Sequence, residues 1–349
     1  MRTSNSFMIH VINRLIVFFV MLGLLNACRQ PLKKVSFQGE AQGTYYAVTY
    51  YDTEGRNLSH QIDSLLKAFD MSMSLWVPES VISRINRGDS TVIADSMFQR
   101  VFMKSQEISR LTGGVFDVTI GPLVKAWGFS FKGKIVLDSL KVDSLRQFIG
   151  YKGVRMENGK VSFADSRMQI DFNAIAQGYS VDVIGEFLRA QGINNFLIDV
   201  GGEVLAKGSK PEKQPWVVGI ERPSDSANAE ERKIETTLAV TDMAIATSGS
   251  YRKFYIRDGI KYSHAIDPSS GFPVRHNTLS VTVIAPDAMT ADGMATAFLV
   301  MGSEKGLEFI EEHPGCEAWF IDAAPDGSYI DHWSKGMEKY FRSDQSGSL

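Results

Sequence analysis

Cysteine is nearly absent: the 349-residue chain has two, Cys28 and Cys316. If the first is consumed by another role, no intramolecular disulfide can form and stability must come from packing. Surplus positive charge is missing too. Lys and Arg number 37 against 40 Asp and Glu, a net charge of −3, so no basic footprint for nucleic acid exists. Zinc-ligand spacings, internal repeats and low-complexity tracts are also lacking. The apolar run from Leu15 to Leu25 is too short to span a bilayer comfortably. What is present is material for a core. Hydrophobic residues make up 44% and aromatics 11%, enough for one large domain or two closely packed lobes and too much for a disordered chain.

Arg2 and Arg14 precede the apolar run, which ends in Leu25-Asn26-Ala27-Cys28. This is the anatomy of a signal peptide over residues 1–27, and its end resembles a bacterial lipobox, in which Cys28 receives a diacylglyceryl group. The alternative is an ordinary signal peptide with an incidental cysteine. Two or more acyl chains hold a protein stably on a membrane, so a lipid-anchored, periplasm-facing protein of the inner or outer membrane is expected. Residues 28–37 then read as a lipidated tether, 38–340 as the folded domain and 341–349 as a polar tail. Cys316 is expected as a small buried apolar residue.

Alternation predicts strands at 43–51, 195–206, 216–220, 235–241, 252–257, 260–265, 278–285 and 317–322. Asn158-Gly159 marks a hairpin turn within residues 153–171. Helices are expected after Ser59, Asp95, Asn173 and Asp287, with another near 304–312. Hairpins gather around a few long helices, without βαβ alternation, so the class is α+β.

Chemistry concentrates in two segments. His264-Ala265-Ile266-Asp267-Pro268-Ser269-Ser270-Gly271 sets an imidazole and a carboxylate at a turn closed by Pro and Gly. Asp292 and Thr296, four apart on a helix, share one face among Ala291, Gly293, Ala295 and Ala297. Hard oxygen donors of this kind suit Mg²⁺, which is commonly shared with substrate phosphates. The competing reading is tight helix packing with Asp and Thr bonding nearby backbone. Asp171 to Gly178 is a strand end running into a helix start, where N–H groups can receive phosphate and free carbonyls can face a metal. Asp199-Val200-Gly201-Gly202-Glu203 reads as a β-turn or as a seat for a ribityl or nucleotide edge, and Thr247 to Tyr251 as phosphate donors or a tight turn. Phe116 and Trp127 either stack on a flat heterocycle or belong to the core.

In this order and spacing the segments resemble the ApbE family of flavin transferases over roughly residues 41–322. The resemblance rests on Gly43-Thr44-Tyr45, the serine-rich segment Met73 to Asn86, Gly114-x-Phe116-Asp117-x-Thr119 with Pro122 and Trp127-Gly128, and Asp171 to Gly178. It continues through Gly201-Gly202-Glu203, Ser248-Gly249-x-Tyr251, His264 to Gly271, and Asp292-x-x-x-Thr296. It implies a T-fold-like α+β architecture, with mixed or antiparallel sheets and packed helices around one flavin site. It also implies Mg²⁺-dependent transfer of FMN from FAD to a Thr or Ser hydroxyl of a target flavoprotein, releasing AMP.

By matching positions, the resemblance implies Asp292, Thr296 and the Ala174 carbonyl as Mg²⁺ ligands. Gln42, Trp76, Val115, Phe116, Asp117, Asp171, Gln177 and Ile266 would line the FAD site. His264 would be catalytic, with Asp267 a candidate to orient its ring. The implied acceptors are flavoprotein subunits of membrane redox complexes of the Nqr or Rnf type. Gln177 stands where many members carry Lys, which shifts charge neutralisation toward the metal, and Asn173 replaces a commonly smaller residue. Two rivals use the same residues: an FAD pyrophosphatase yielding FMN and AMP, and a periplasmic flavin-binding or storage lipoprotein.

Overall fold

The computed structural model describes residues 31–128, 137–223, 234–250, 254–257 and 260–342. Strands β1 (Lys33–Ala41) and β2 (Thr44–Asp52) lead into helices α1 (Ser59–Met73), α2 (Val81–Asn86) and α3 (Ser96–Leu111). Short helices α4 (Gly121–Ala126) and α5 (Ser139–Arg146) follow, then the hairpin β3 (Val154–Glu157) and β4 (Lys160–Phe163). Next come α6 (Ala176–Ala190), β5 (Phe196–Val200), β6 (Glu203–Lys207), β7 (Trp216–Glu221), β8 (Ile234–Val240) and β9 (Met243–Gly249). After β10 (Phe254–Arg257), β11 (Ile260–Ser263) and β12 (Thr278–Ala285), helices α7 (Ala288–Met301) and α8 (Ser303–Glu312) precede β13 (Glu317–Ala323) and β14 (Tyr329–Trp333).

One eight-stranded sheet organises these elements, in the order β1-β2-β5-β6-β9-β12-β13-β14. Every pairing in it is antiparallel. The α+β architecture expected from the hairpins is therefore what the chain adopts. Period-2 alternation explains how both faces of the sheet are used. Ala244, Ala246, Val281, Val283 and Ala285 face the main core with α6 and α7. Ile245 and Ile284 face a second cluster with Trp216, Leu238 and Trp319, beneath the β7–β8 hairpin. With both faces covered, β12 is buried along nearly its whole length, Thr278, Ser280 and Thr282 included.

Helix α7 is enclosed on nearly all sides, which explains its small residues. A Cβ on Gly293 would lie 2.6 Å from Ile108 Cδ1. Asp287 caps the helix by accepting from Thr290 N–H, and Asp95 caps α3 by accepting from Phe98 N–H, both as the sequence predicts. The Asn158-Gly159 turn also forms, with both residues at positive φ. Among the described residues no helix is long and apolar enough to cross a membrane.

Four expectations need correction. Strand β1 begins at Lys33, so residues assigned to the 28–37 tether join the sheet, because Val35 and Phe37 alternate inward against the core. Ser59 does not cap α1: Leu58 occupies that position without a side-chain bond, and Asn57 Oδ1 accepts from Ser59 N–H. Helix α6 starts at Ala176, leaving Asn173 exposed in the preceding turn. Residues 247–249 belong to β9, whose short side chains let α7 approach the sheet. Cys28 and the signal segment lie outside the described residues.

Candidate flavin and metal site

Helices α6 and α7 meet at their chemically loaded faces. Asp292 is buried, and its Oδ2 accepts from Gly178 N–H at 2.9 Å. In an uninterrupted helix that N–H would turn to the Ala174 carbonyl four residues back. Here α6 begins only at Ala176, so the Gly178 N–H is a first-turn donor without a helical acceptor and the carboxylate supplies one, while no backbone N–H among the described residues pairs with Ala174 O. A Cβ on Gly178 would lie 2.2 Å from Ala288 O and 2.7 Å from Asp292 Cβ, so only glycine admits this approach. Thr296, one turn further along α7, is half-buried with its Oγ1 3.4 Å from Ser248 Oγ at the end of β9. Burial pushes Asp292 up to about 7 against the pull of the single Gly178 bond.

The β1–β2 turn closes over α6. Gln42 adopts φ +54°, and its Oε1 accepts from Ser180 Oγ at 3.4 Å. Its Nε2 is buried without a hydrogen-bond partner, a donor whose desolvation goes uncompensated. Gln177 Nε2 donates to Val200 O at 2.9 Å, which ties the start of α6 to the β5–β6 turn. That turn is the expected β-turn: Asp199 Oδ1 accepts from Gly202 N–H at 2.9 Å and Oδ2 accepts from Tyr45 OH at 3.0 Å.

The segment 115–128 forms an adjoining wall. Asp117 is buried, with Oδ1 accepting from Thr119 N–H and Oγ1 and Oδ2 accepting from Tyr151 N–H. Its burial raises its pKa, and those bonds oppose the shift. Asp117 therefore braces a loop and has both oxygens in use. Phe116 packs in the main core and Ile266 packs with Leu123 and Trp127, so these side chains shape the wall from within. For Phe116 and Trp127 the core reading holds. Val115 is half-buried beside them, and Trp76, between α1 and α2, is 60% exposed. Asp171, buried and raised by desolvation, accepts from Asn173 N–H at 2.8 Å, while its own N–H donates to Val118 O.

The His264 segment is fastened to this wall: Trp127 Nε1 donates to Gly271 O at 2.9 Å. His264 is half-buried just past β11. Asp267 accepts from the Ser269 N–H and hydroxyl with its two carboxylate oxygens, which braces the turn just after His264. Ser250 likewise donates to the Thr278 and Leu279 carbonyls and is no phosphate donor.

The sequence profile of the ApbE family matches residues 42–320. The chain belongs to the ApbE family. It is 34% identical over 304 residues to the FAD:protein FMN transferase of Vibrio cholerae serotype O1, covering 85% of this chain and 90% of that protein. The Haemophilus influenzae FAD:protein FMN transferase is 31% identical over 329 residues, with 90% and 94% covered. Among solved structures, flavin transferase ApbE from Vibrio cholerae superposes with a TM-score of 0.78 at 32% identity, covering 89% of this chain and all of that one (100%). The apo Pseudomonas stutzeri flavinyl transferase ApbE gives 0.79 at 30% identity, with 90% and 98% covered.

Every expected ApbE site residue from Gln42 to Thr296 lies inside the matched span, and Cys28 lies before it. The donor set fits a hard divalent cation: one buried carboxylate, a hydroxyl and a backbone carbonyl just before a helix start. A buried carboxylate with a single N–H partner is costly when charged, and a cation beside it would relieve that cost. Sequence reasoning missed Asp182, which the α6 spacing Gly178-x-x-x-Asp182 places on the same helix face as Gly178. It also underused Asn86, whose side chain bonds both the N–H and the carbonyl of Ile170 at 2.8 Å and so fixes the approach to Asp171.

Proposed function

We propose that this chain transfers FMN from FAD to a Thr or Ser hydroxyl of a target flavoprotein, with Mg²⁺ bound and AMP released. One observation carries the site assignment: buried Asp292 of α7 accepts the Gly178 N–H in the first turn of α6, the helix that directly follows Ala174, whose carbonyl no backbone N–H takes. Membership of a family whose named relatives are FAD:protein FMN transferases supports the reaction.

Asp292, Thr296 and the Ala174 carbonyl would hold Mg²⁺. When bound, the ion supplies positive charge against the charge that builds on the diphosphate. Gln42 Nε2, a buried donor in need of an acceptor, would bond a polar edge of FAD. The wall from Val115 to Asp117, with Asp171, Gln177, Ile266 and Trp76, would hold the flavin. His264 takes the proton of the acceptor hydroxyl as its oxygen bonds the FMN-side phosphorus. The bridging P–O bond breaks, and that oxygen leaves with AMP.

The N-terminal reading completes the proposal: a signal peptide over 1–27, lipid on Cys28 and an envelope location facing the periplasm. The acceptors are flavoprotein subunits of membrane redox complexes of the Nqr or Rnf type. Incubating the protein with FAD, Mg²⁺ and such an acceptor tests the reaction. Covalent FMN on the acceptor with an equal yield of AMP is expected. Free FMN with AMP would mark a pyrophosphatase instead, and unchanged FAD would mark a flavin-storage protein.

A further inference from the structure

The α6–α7 contact carries a second carboxylate, half-buried, that the reaction does not use. Asp182 Oδ1 accepts from Ala288 N–H at 2.9 Å, and its Oδ2 accepts from Met289 N–H at 2.8 Å. Asp287 accepts from Thr290 N–H, so the first three N–H groups of α7 all end on carboxylates. Two of the three acceptor oxygens belong to Asp182 on the neighbouring helix. In return, α7 sends Asp292 to the Gly178 N–H at the start of α6. Gly178 faces Asp292 and Asp182 faces Ala288, so the helices run antiparallel and exchange caps one turn apart. Desolvation, reinforced by Asp287 and Glu186, pushes Asp182 up to about 7.

Sliding α7 along α6 would break all three inter-helix bonds at once. The same slide would carry Asp292 and Thr296 past the Ala174 carbonyl. We propose that Asp182 is a positioning residue, which locks the axial register of α7 so that the Mg²⁺ ligands on it converge with the carbonyl at the start of α6. It rests on the metal site proposed above. Groups that hold a ligand-bearing element typically change metal affinity by about 10–100-fold when removed.

The test measures Mg²⁺ affinity by calorimetry, together with melting temperature, on the full mature protein without added metal. Asp182→Ala should weaken Mg²⁺ binding by about tenfold or more. Asp287→Ala is the control, because it uncaps the same helix end without detaching α7 from α6. It should lower the melting temperature and leave Mg²⁺ affinity within about twofold, as expected of a change in stability alone. Should Asp182→Ala not fold, Asp182→Asn keeps one acceptor oxygen and should show a smaller loss in the same direction. Unchanged Mg²⁺ affinity in the folded Asp182 variant, or an equal loss in Asp287→Ala, would overturn the positioning role. Asp292→Ala separates the two claims. Binding lost there but intact in the Asp182 variant sinks the positioning role alone, whereas binding retained in Asp292→Ala sinks both.

Discussion

At the scale of single residues, Asp292 sets the energetics of the site. Its burial pushes the carboxyl from 3.8 up to about 7, so the metal-free fold holds a proton that the unfolded chain has released. The sign follows by linkage. Between about pH 4 and 7 this group's contribution to metal-free stability falls as pH rises, because the folded state binds more protons there. Mg²⁺ needs the carboxylate, so its stabilising effect should grow over the same window and level off above about pH 7. Melting curves with and without Mg²⁺ between pH 5 and 8 should therefore diverge with rising pH; parallel curves would contradict the assignment. His264 makes a different prediction. His264→Ala should lower turnover by roughly 10²–10⁴-fold, the usual worth of a general base, with little change in FAD affinity. A selective loss of FAD binding would instead make it a binding residue.

At the scale of elements, Gly178 and the small residues of α7 decide how closely two helices meet. Gly178→Ala places a methyl against Ala288 O and Asp292, and should destabilise the fold by about 1–3 kcal/mol with loss of Mg²⁺ binding. Normal melting and normal Mg²⁺ affinity in that variant would contradict the described contact. The Asp292–Thr296 pair was legible in the sequence because its geometry is local, four residues on one helix. So were the Asp95 and Asp287 caps and the Asn158-Gly159 turn, each a local pattern with one physical solution. Asp182 was illegible because its partners are over a hundred positions away, at Ala288 and Met289. The same non-locality explains β9, whose Ala-Ile-Ala-Thr run has meaning only against α7.

At the scale of the whole molecule, two packed clusters on opposite faces of one antiparallel sheet hold the site in place. Cys316 is buried, and its thiol is pushed up to about 12 by burial and by Glu317. Under the proposed lipidation of Cys28, a thiol reductant should leave the melting temperature unchanged; a marked drop would reveal a disulfide. Cys28→Ala should release the protein from the membrane fraction while FMN transfer by the folded domain continues. Retention on the membrane would argue for another anchor. In the proposed site one cation, held where α6 and α7 exchange caps, grips the diphosphate of FAD. A crystal structure with FAD and Mg²⁺ decides this. The ion should stand about 2.0–2.1 Å from Asp292, Thr296 Oγ1 and Ala174 O, with diphosphate oxygens completing its shell. A diphosphate bound away from those three oxygens would contradict it.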